Sequence, residues 1–124
     1  MNFVLAPKST TGVDDEAGSK IPKTVELYGN YPNPFRSAAS SRFAGNPETQ
    51  IAFGLPATMR VKLRLFNVLG EEVAVLHDGV LNAGVHRINW NGRNQAGRQV
   101  GTGLYLYRLE SATVTLRGKM LLLQ

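Results

Sequence analysis

From Thr24 onward, apolar residues recur at every second position in short runs, each stopped by Pro, Gly, Asn or Asp. That period is the signature of half-buried β-strands rather than of helices. Val25, Leu27 and Tyr31 make the first run, which ends at Pro32 and Pro34; proline donates no ladder hydrogen bond, so an edge strand is expected. Ile51, Phe53 and Leu55 make the second, stopped by Pro56. In the third, Val61, Leu63 and Leu65 alternate with Arg60, Lys62 and Arg64, pointing one face at a core and the other at water. A break at Leu69-Gly70 leads to a fourth strand from Glu72 to His77, with Asp78-Gly79 read as the turn that closes it. Ala83-Gly84 opens a fifth, in which His86, Ile88 and Trp90 share a face before Asn91-Gly92. In the sixth, Tyr105, Tyr107 and Leu109 alternate with Leu104, Leu106 and Arg108. Apolar groups on both faces predict a central place in its sheet. A seventh runs from about Val114 to Leu123.

No stretch carries a sustained helical period with a capped start. Seven short strands at hairpin and crossover spacings predict an all-β fold, a seven-stranded antiparallel Greek-key sandwich, with a partly open barrel as the second architecture. Residues 6–23 differ. They are rich in Ser, Thr, Gly, Pro, Asp and Lys without apolar repetition, which reads as a flexible linker because such a composition buries too little to offset the entropy of ordering. The expected organisation is thus a tail over residues 1–23 and one domain over residues 24–124.

Composition narrows the chemistry. The 124 residues contain no cysteine, which excludes disulfides, thiolate metal sites and cysteine nucleophiles. The longest apolar runs, such as residues 120–123, fall far short of the ~20 residues a membrane-spanning helix requires. Residues 3–6 are too short for a signal-peptide core and lack a basic lead-in, so an exported parent protein would have to be larger than this chain. His77 and His86 lie on different strands with no metal-ligand spacing to another His, Asp or Glu. Ser37, Ser40 and Ser41 sit in a low-complexity loop rather than on a strained turn that exposes a nucleophile. The carboxylates Asp14-Asp15-Glu16 and Glu71-Glu72 pair only as neighbours, whereas acid/base pairs converge across a cleft. The expectation is a protein that is not an enzyme and needs no cofactor or metal.

The loop from Gly97 to Gly103 lacks the following helix that a phosphate cradle uses, and Asn91, Asn94 and Gln95 are better explained by Asx turns than by a calcium site. A net charge of +5 favours anionic partners. Its spread over Arg60, Lys62, Arg64, Arg93, Arg98, Arg108, Arg117 and Lys119, without a basic helix or run, argues against nucleic acid. Exposed Tyr or Trp would suggest sugar stacking. Trp90 falls on the apolar face with Ile88 and is expected in the core with its indole N–H bonded inside, while Tyr28 and Tyr31 stay open.

Several strings then appear in order: YPNPF at residues 31–35, followed by NPETQIAFGLP, VKLRLFNVLGEEV, LNAGVHRINWNGR, GTGLYLYRLE and the terminal KMLLL. Together they resemble the C-terminal sorting domains of type IX secretion substrates, from Leu27 to the chain end. The resemblance implies an immunoglobulin-like, non-catalytic domain that directs an upstream cargo through the periplasm to the outer-membrane translocon. A sortase then transfers the cargo to anionic lipopolysaccharide at the cell surface. It places translocon recognition on the last hairpin, here Gly103, Tyr105, Tyr107, Arg108 and Leu109 with Lys119, Met120, Leu121, Leu122 and Leu123. A terminal strand could then add to a receptor's sheet edge. Two features depart from that pattern: residues 36–45 intervene before Asn46-Pro47, and the last residue is Gln124. The sequence is also similar to the immunoglobulin-like domain of the flagellar hook-capping protein, an assembly element, and a carbohydrate-binding module is the third reading.

Overall fold

The computed structural model describes residues 21–36 and 48–123. The linker reading of residues 6–23 falls almost entirely outside these residues, as do the serines at 37, 40 and 41, the acidic cluster at 14–16, the intervening segment and Gln124. Eight strands and no helix are present among the described residues: β1 (Glu26–Tyr31), β2 (Phe35–Arg36), β3 (Thr49–Leu55), β4 (Met59–Phe66), β5 (Glu72–Leu81), β6 (Gly84–Trp90), β7 (Gly103–Glu110) and β8 (Thr115–Leu123). They form two sheets, of order β1-β3-β6 and β2-β8-β7-β4-β5. Neighbours are antiparallel except β2 and β8, which run parallel. The result is an immunoglobulin-like β-sandwich.

Period-two patterning decides what lies between the sheets. Ile51, Phe53 and Leu55 of β3 face Val61, Leu63 and Leu65 of β4, with Tyr105, Tyr107 and Leu109 of β7 and Met120 and Leu122 of β8, all buried. Trp90, only 2% exposed, closes one end of this core. Its ring meets Phe35 and Tyr105 edge to face, each at 5.4 Å and 62°, an arrangement the aromatic quadrupole favours. Its Nε1–H donates to the Arg93 carbonyl at 2.8 Å, so the core position expected for Trp90 is the observed one. The edge position expected for the first run is also found, at β1.

A polar relay crosses the core beside these rings. The Tyr107 hydroxyl donates to Asn30 Oδ1 (3.3 Å), Asn30 Nδ2 to Thr49 Oγ1 (3.0 Å), and Thr49 Oγ1–H to the Pro32 carbonyl (2.8 Å). Thr49 is fully buried, and this satisfaction is what makes a hydroxyl tolerable there.

One expected turn is absent. Asp78-Gly79 lies within β5, with Asp78 opposite Lys62 and Gly79 opposite Val61. Cross-strand pairing overrides the local turn preference, and Asp78 Oδ1 accepts from Arg60 at 2.7 Å. The reversal comes at Asn82-Ala83 instead, where Gly84 takes φ 127° and the Asn82 carbonyl meets His86 Nε2 at 2.7 Å.

Gly118 of β8 lies against the Tyr107 ring, and a Cβ built there would run into the ring atoms. Because Tyr107 is held by its neighbours and by Asn30, Gly118→Ala is expected to destabilise the domain by about 1–3 kcal/mol through overpacking. Thermal unfolding checks this; an unchanged Tm would show that the ring gives way freely.

Candidate functional site

The residues singled out in the sequence meet on one hairpin. In β7 and β8, Gly103 lies opposite Leu122, Tyr105 opposite Met120, and Arg108 opposite Arg117. The sandwich then divides them by face. Tyr105, Tyr107, Leu109, Met120 and Leu122 point into the core; burial raises the pKa of both tyrosine hydroxyls. Their side chains are packed between the sheets and shape the hairpin. Lys119 and Leu121 are exposed, and Gly103, Arg108 and Leu123 are half-buried.

The outer face holds residues that the motif reading passed over. Leu104 and Leu106 are 40% and 38% exposed, beside Leu121 at 37%. They cluster because Leu104 opposes Leu121 and Leu106 opposes Phe66. β7 is central, with β8 and β4 as neighbours, yet its outer face is open to solvent. Apolar residues on both faces signalled the central position without revealing that no described element covers the second face. Phe66, Gly70, Leu106, Tyr107, Arg108 and Arg117 line a shallow cavity of about 210 Å³ here.

Charge on this face is organised by Glu110. Its Oε2 accepts from Arg64 Nη2 at 2.6 Å and from Arg108 Nε, while Arg64 also reaches Glu72 at 3.1 Å. The two guanidinium carbons lie 5.2 and 4.5 Å from the Phe66 ring centroid, a cation–π arrangement. Arg108 is therefore engaged within the domain. On this face, Lys62 of β4 and Arg117 and Lys119 of β8 form no ion pair among the described residues.

The loop between β6 and β7 is held by side-chain oxygens. Asn91 Oδ1 accepts from the Arg93 N–H, and Asn94 Oδ1 accepts from the Ala96 and Arg98 N–H groups. Gln95 Oε1 takes the Val75 N–H at 2.8 Å, and the Gln95 N–H donates to the Val73 carbonyl, which covers part of the β5 edge. The Asx-turn reading accounts for Asn91 and Asn94, whereas Gln95 is explained by its bonds to β5. His86 stacks near Phe53, with centroids 5.7 Å apart, and His77 Nε2 is buried with no hydrogen-bond partner among the described residues.

These features define an immunoglobulin-like sandwich with an amphipathic C-terminal hairpin. A family model described as the FlgD Ig-like domain matches residues 37–114, more than half of the chain, and the chain belongs to that family. No curated protein matches. Among solved structures, the chain is similar to dimeric latent PorU of Porphyromonas gingivalis, with a TM-score of 0.59 and 17% identity over 93% of this chain and 10% of that one. It is also similar to PorZ, an essential surface component of the type IX secretion system of the same organism (TM-score 0.51, 20% identity, 79% of this chain and 11% of that one). FlgD from P. aeruginosa is similar over 83% of this chain and 78% of that one (TM-score 0.52, 13% identity). At these identities the likeness establishes the shared fold. The chain spans about a tenth of the length of PorU and PorZ.

Hydrogen bonds from Arg64, then from Arg108, hold the Glu110 carboxyl below the usual carboxylate range. A depressed folded-state pKa contributes stability that is fully present above the unfolded value of about 4.3 and is lost as pH falls through the folded value. Glu110→Gln is therefore expected to be less stable than the original at neutral pH, with the two unfolding midpoints converging in acid. Urea unfolding at a series of pH values checks this; a difference that persists undiminished at low pH would contradict it.

Proposed function

We propose that this domain is the non-catalytic C-terminal sorting module of an exported protein. In this reading it carries an upstream cargo through the periplasm to an outer-membrane type IX translocon and sortase, for attachment to anionic lipopolysaccharide or release outside the cell. The observation that carries the reading is the β7–β8 hairpin, whose motifs lie in register and whose outer face presents Leu104, Leu106 and Leu121 beside Arg117 and Lys119, which form no ion pair among the described residues. The likeness to PorZ and PorU supports it. Recognition on the folded domain falls to the outward residues, while the buried ones position them.

The second reading, an assembly element without a sorting role, draws on the match to the FlgD Ig-like domain and on the likeness to FlgD.

The test is to fuse the whole chain to the C-terminus of a periplasm-directed fluorescent reporter in a host with type IX secretion. Removing residues 121–124 would not separate recognition from folding. Leu122 is fully buried, and deleting such a side chain costs about 2–5 kcal/mol. A surface variant carrying Leu104→Ser, Leu106→Ser and Leu121→Ser is the better comparison. The original fusion is expected at the cell surface or in the medium, and the variant in the periplasm with its domain folded by circular dichroism. Export of both to the same extent would remove the outer face from recognition, and retention of the original would favour the assembly reading.

A further inference from the structure

Among the described residues, the outer edge of β8 is covered along only half its length. Asn33 Oδ1 accepts the Leu121 N–H at 3.0 Å, and Asn33 Nδ2 donates to the Lys119 carbonyl at 3.4 Å. Beyond them, Phe35 and Arg36 pair with Leu122 and Leu123. The YPNPF segment thus occupies the C-terminal half of the edge, and that half has no room for an incoming strand.

The same two bonds establish the sense of the strand. Lys119 and Leu121 turn their backbone groups away from β7, and backbone direction alternates along an antiparallel strand. Thr115 and Arg117 therefore point their N–H and C=O groups to the same outer edge, where no described residue pairs with them. An unpaired edge is a template for another strand.

Charge selects which strand. Arg117 and Lys119 project from this edge onto the outer face with no ion-pair partner among the described residues. Two copies joined antiparallel about Arg117 would set Arg117 against Arg117, and like charges directly opposite destabilise a pair. A strand with carboxylates on that face would gain from both cations.

We propose that the Thr115–Lys119 stretch of the β8 edge docks an extended peptide segment of a partner protein, with acidic side chains on the face that meets Arg117 and Lys119. The ladder bonds supply affinity and the charge alternation supplies selectivity. This names the partner chemistry of the hairpin invoked above, but its test does not pass through export, so either can fail without the other.

The experiment titrates the isotope-labelled full chain with a short capped peptide alternating Glu and Val, and separately with one alternating Lys and Val, while NMR follows the backbone amides. The Glu peptide is expected to shift the Arg117 and Lys119 amides and slow exchange at Arg117, and the Lys peptide to do neither. The double variant Arg117→Glu, Lys119→Glu should weaken the Glu peptide by about tenfold or more. It should keep the dispersed spectrum of a folded domain, because both side chains face solvent. Thr115→Pro, which removes an outward N–H at the first residue of the strand and leaves both cations in place, should weaken the peptide without any change of charge. Equal binding of the two peptides, no response to the Glu peptide at millimolar concentration, or unchanged affinity in the double variant would each overturn the proposal. So would protection of Arg117 that grows with protein concentration alone alongside a doubled sedimentation mass, which would assign the edge to a second copy.

Discussion

Trp90 stands at the end of the three-stranded sheet with its ring held edge-on between Phe35 and Tyr105 of the five-stranded one. The two sheets share no backbone ladder, so side chains such as these are what hold them face to face. The loop that follows is tied in through the indole N–H, which donates to Arg93; the same loop covers part of β5 through Gln95. Phe35 reaches Trp90 because the chain crosses from β1 to β2 between Tyr31 and Phe35. Removing the indole would therefore loosen the core, the loop and the crossover together.

The crossover also shapes the β7–β8 hairpin. Asn33 lies between the prolines of the YPNPF string and supplies from one side chain the acceptor and donor that a neighbouring strand would offer to Leu121 and Lys119. The final strand is consequently an internal strand at its C-terminal end and an edge strand at its start. Two of its last leucines are tied into the domain: Leu122 fills the core, and Leu123 pairs with Arg36. The surface left to a partner is the outer face, where leucines of β7 and β8 meet the cations of β8.

Glu110 gives that face its charge distribution. By engaging Arg64 and Arg108 at once over the Phe66 ring, it draws two guanidiniums into one local cluster, while Lys62, Arg117 and Lys119 of the same face form no ion pair among the described residues.

Much of the sandwich is legible in the chain itself, because strand patterning is local: alternating side chains identify β3, β4, β6 and β7, assign Val61, Leu63 and Leu65 to the interior, and put Trp90 in the core. Local turn chemistry likewise accounts for Asn91 and Asn94. What pairs with what is not local. Asp78-Gly79 reads as a turn until Lys62 and Val61 are placed across from it. The two-residue strand at Phe35–Arg36 exists only because β8, 86 or more residues away along the Asn33 contacts, runs beside it. The hairpin was recognisable as a motif, but an alternation with apolar residues on both faces does not say which face another layer will cover. Only the assembled sheets decide that Tyr105, Tyr107, Leu109, Met120 and Leu122 are interior, that Leu104, Leu106 and Leu121 are exposed, and that the free edge of β8 lies at Thr115 and Arg117, since exposure is a property of neighbours that the sequence brings together only on folding.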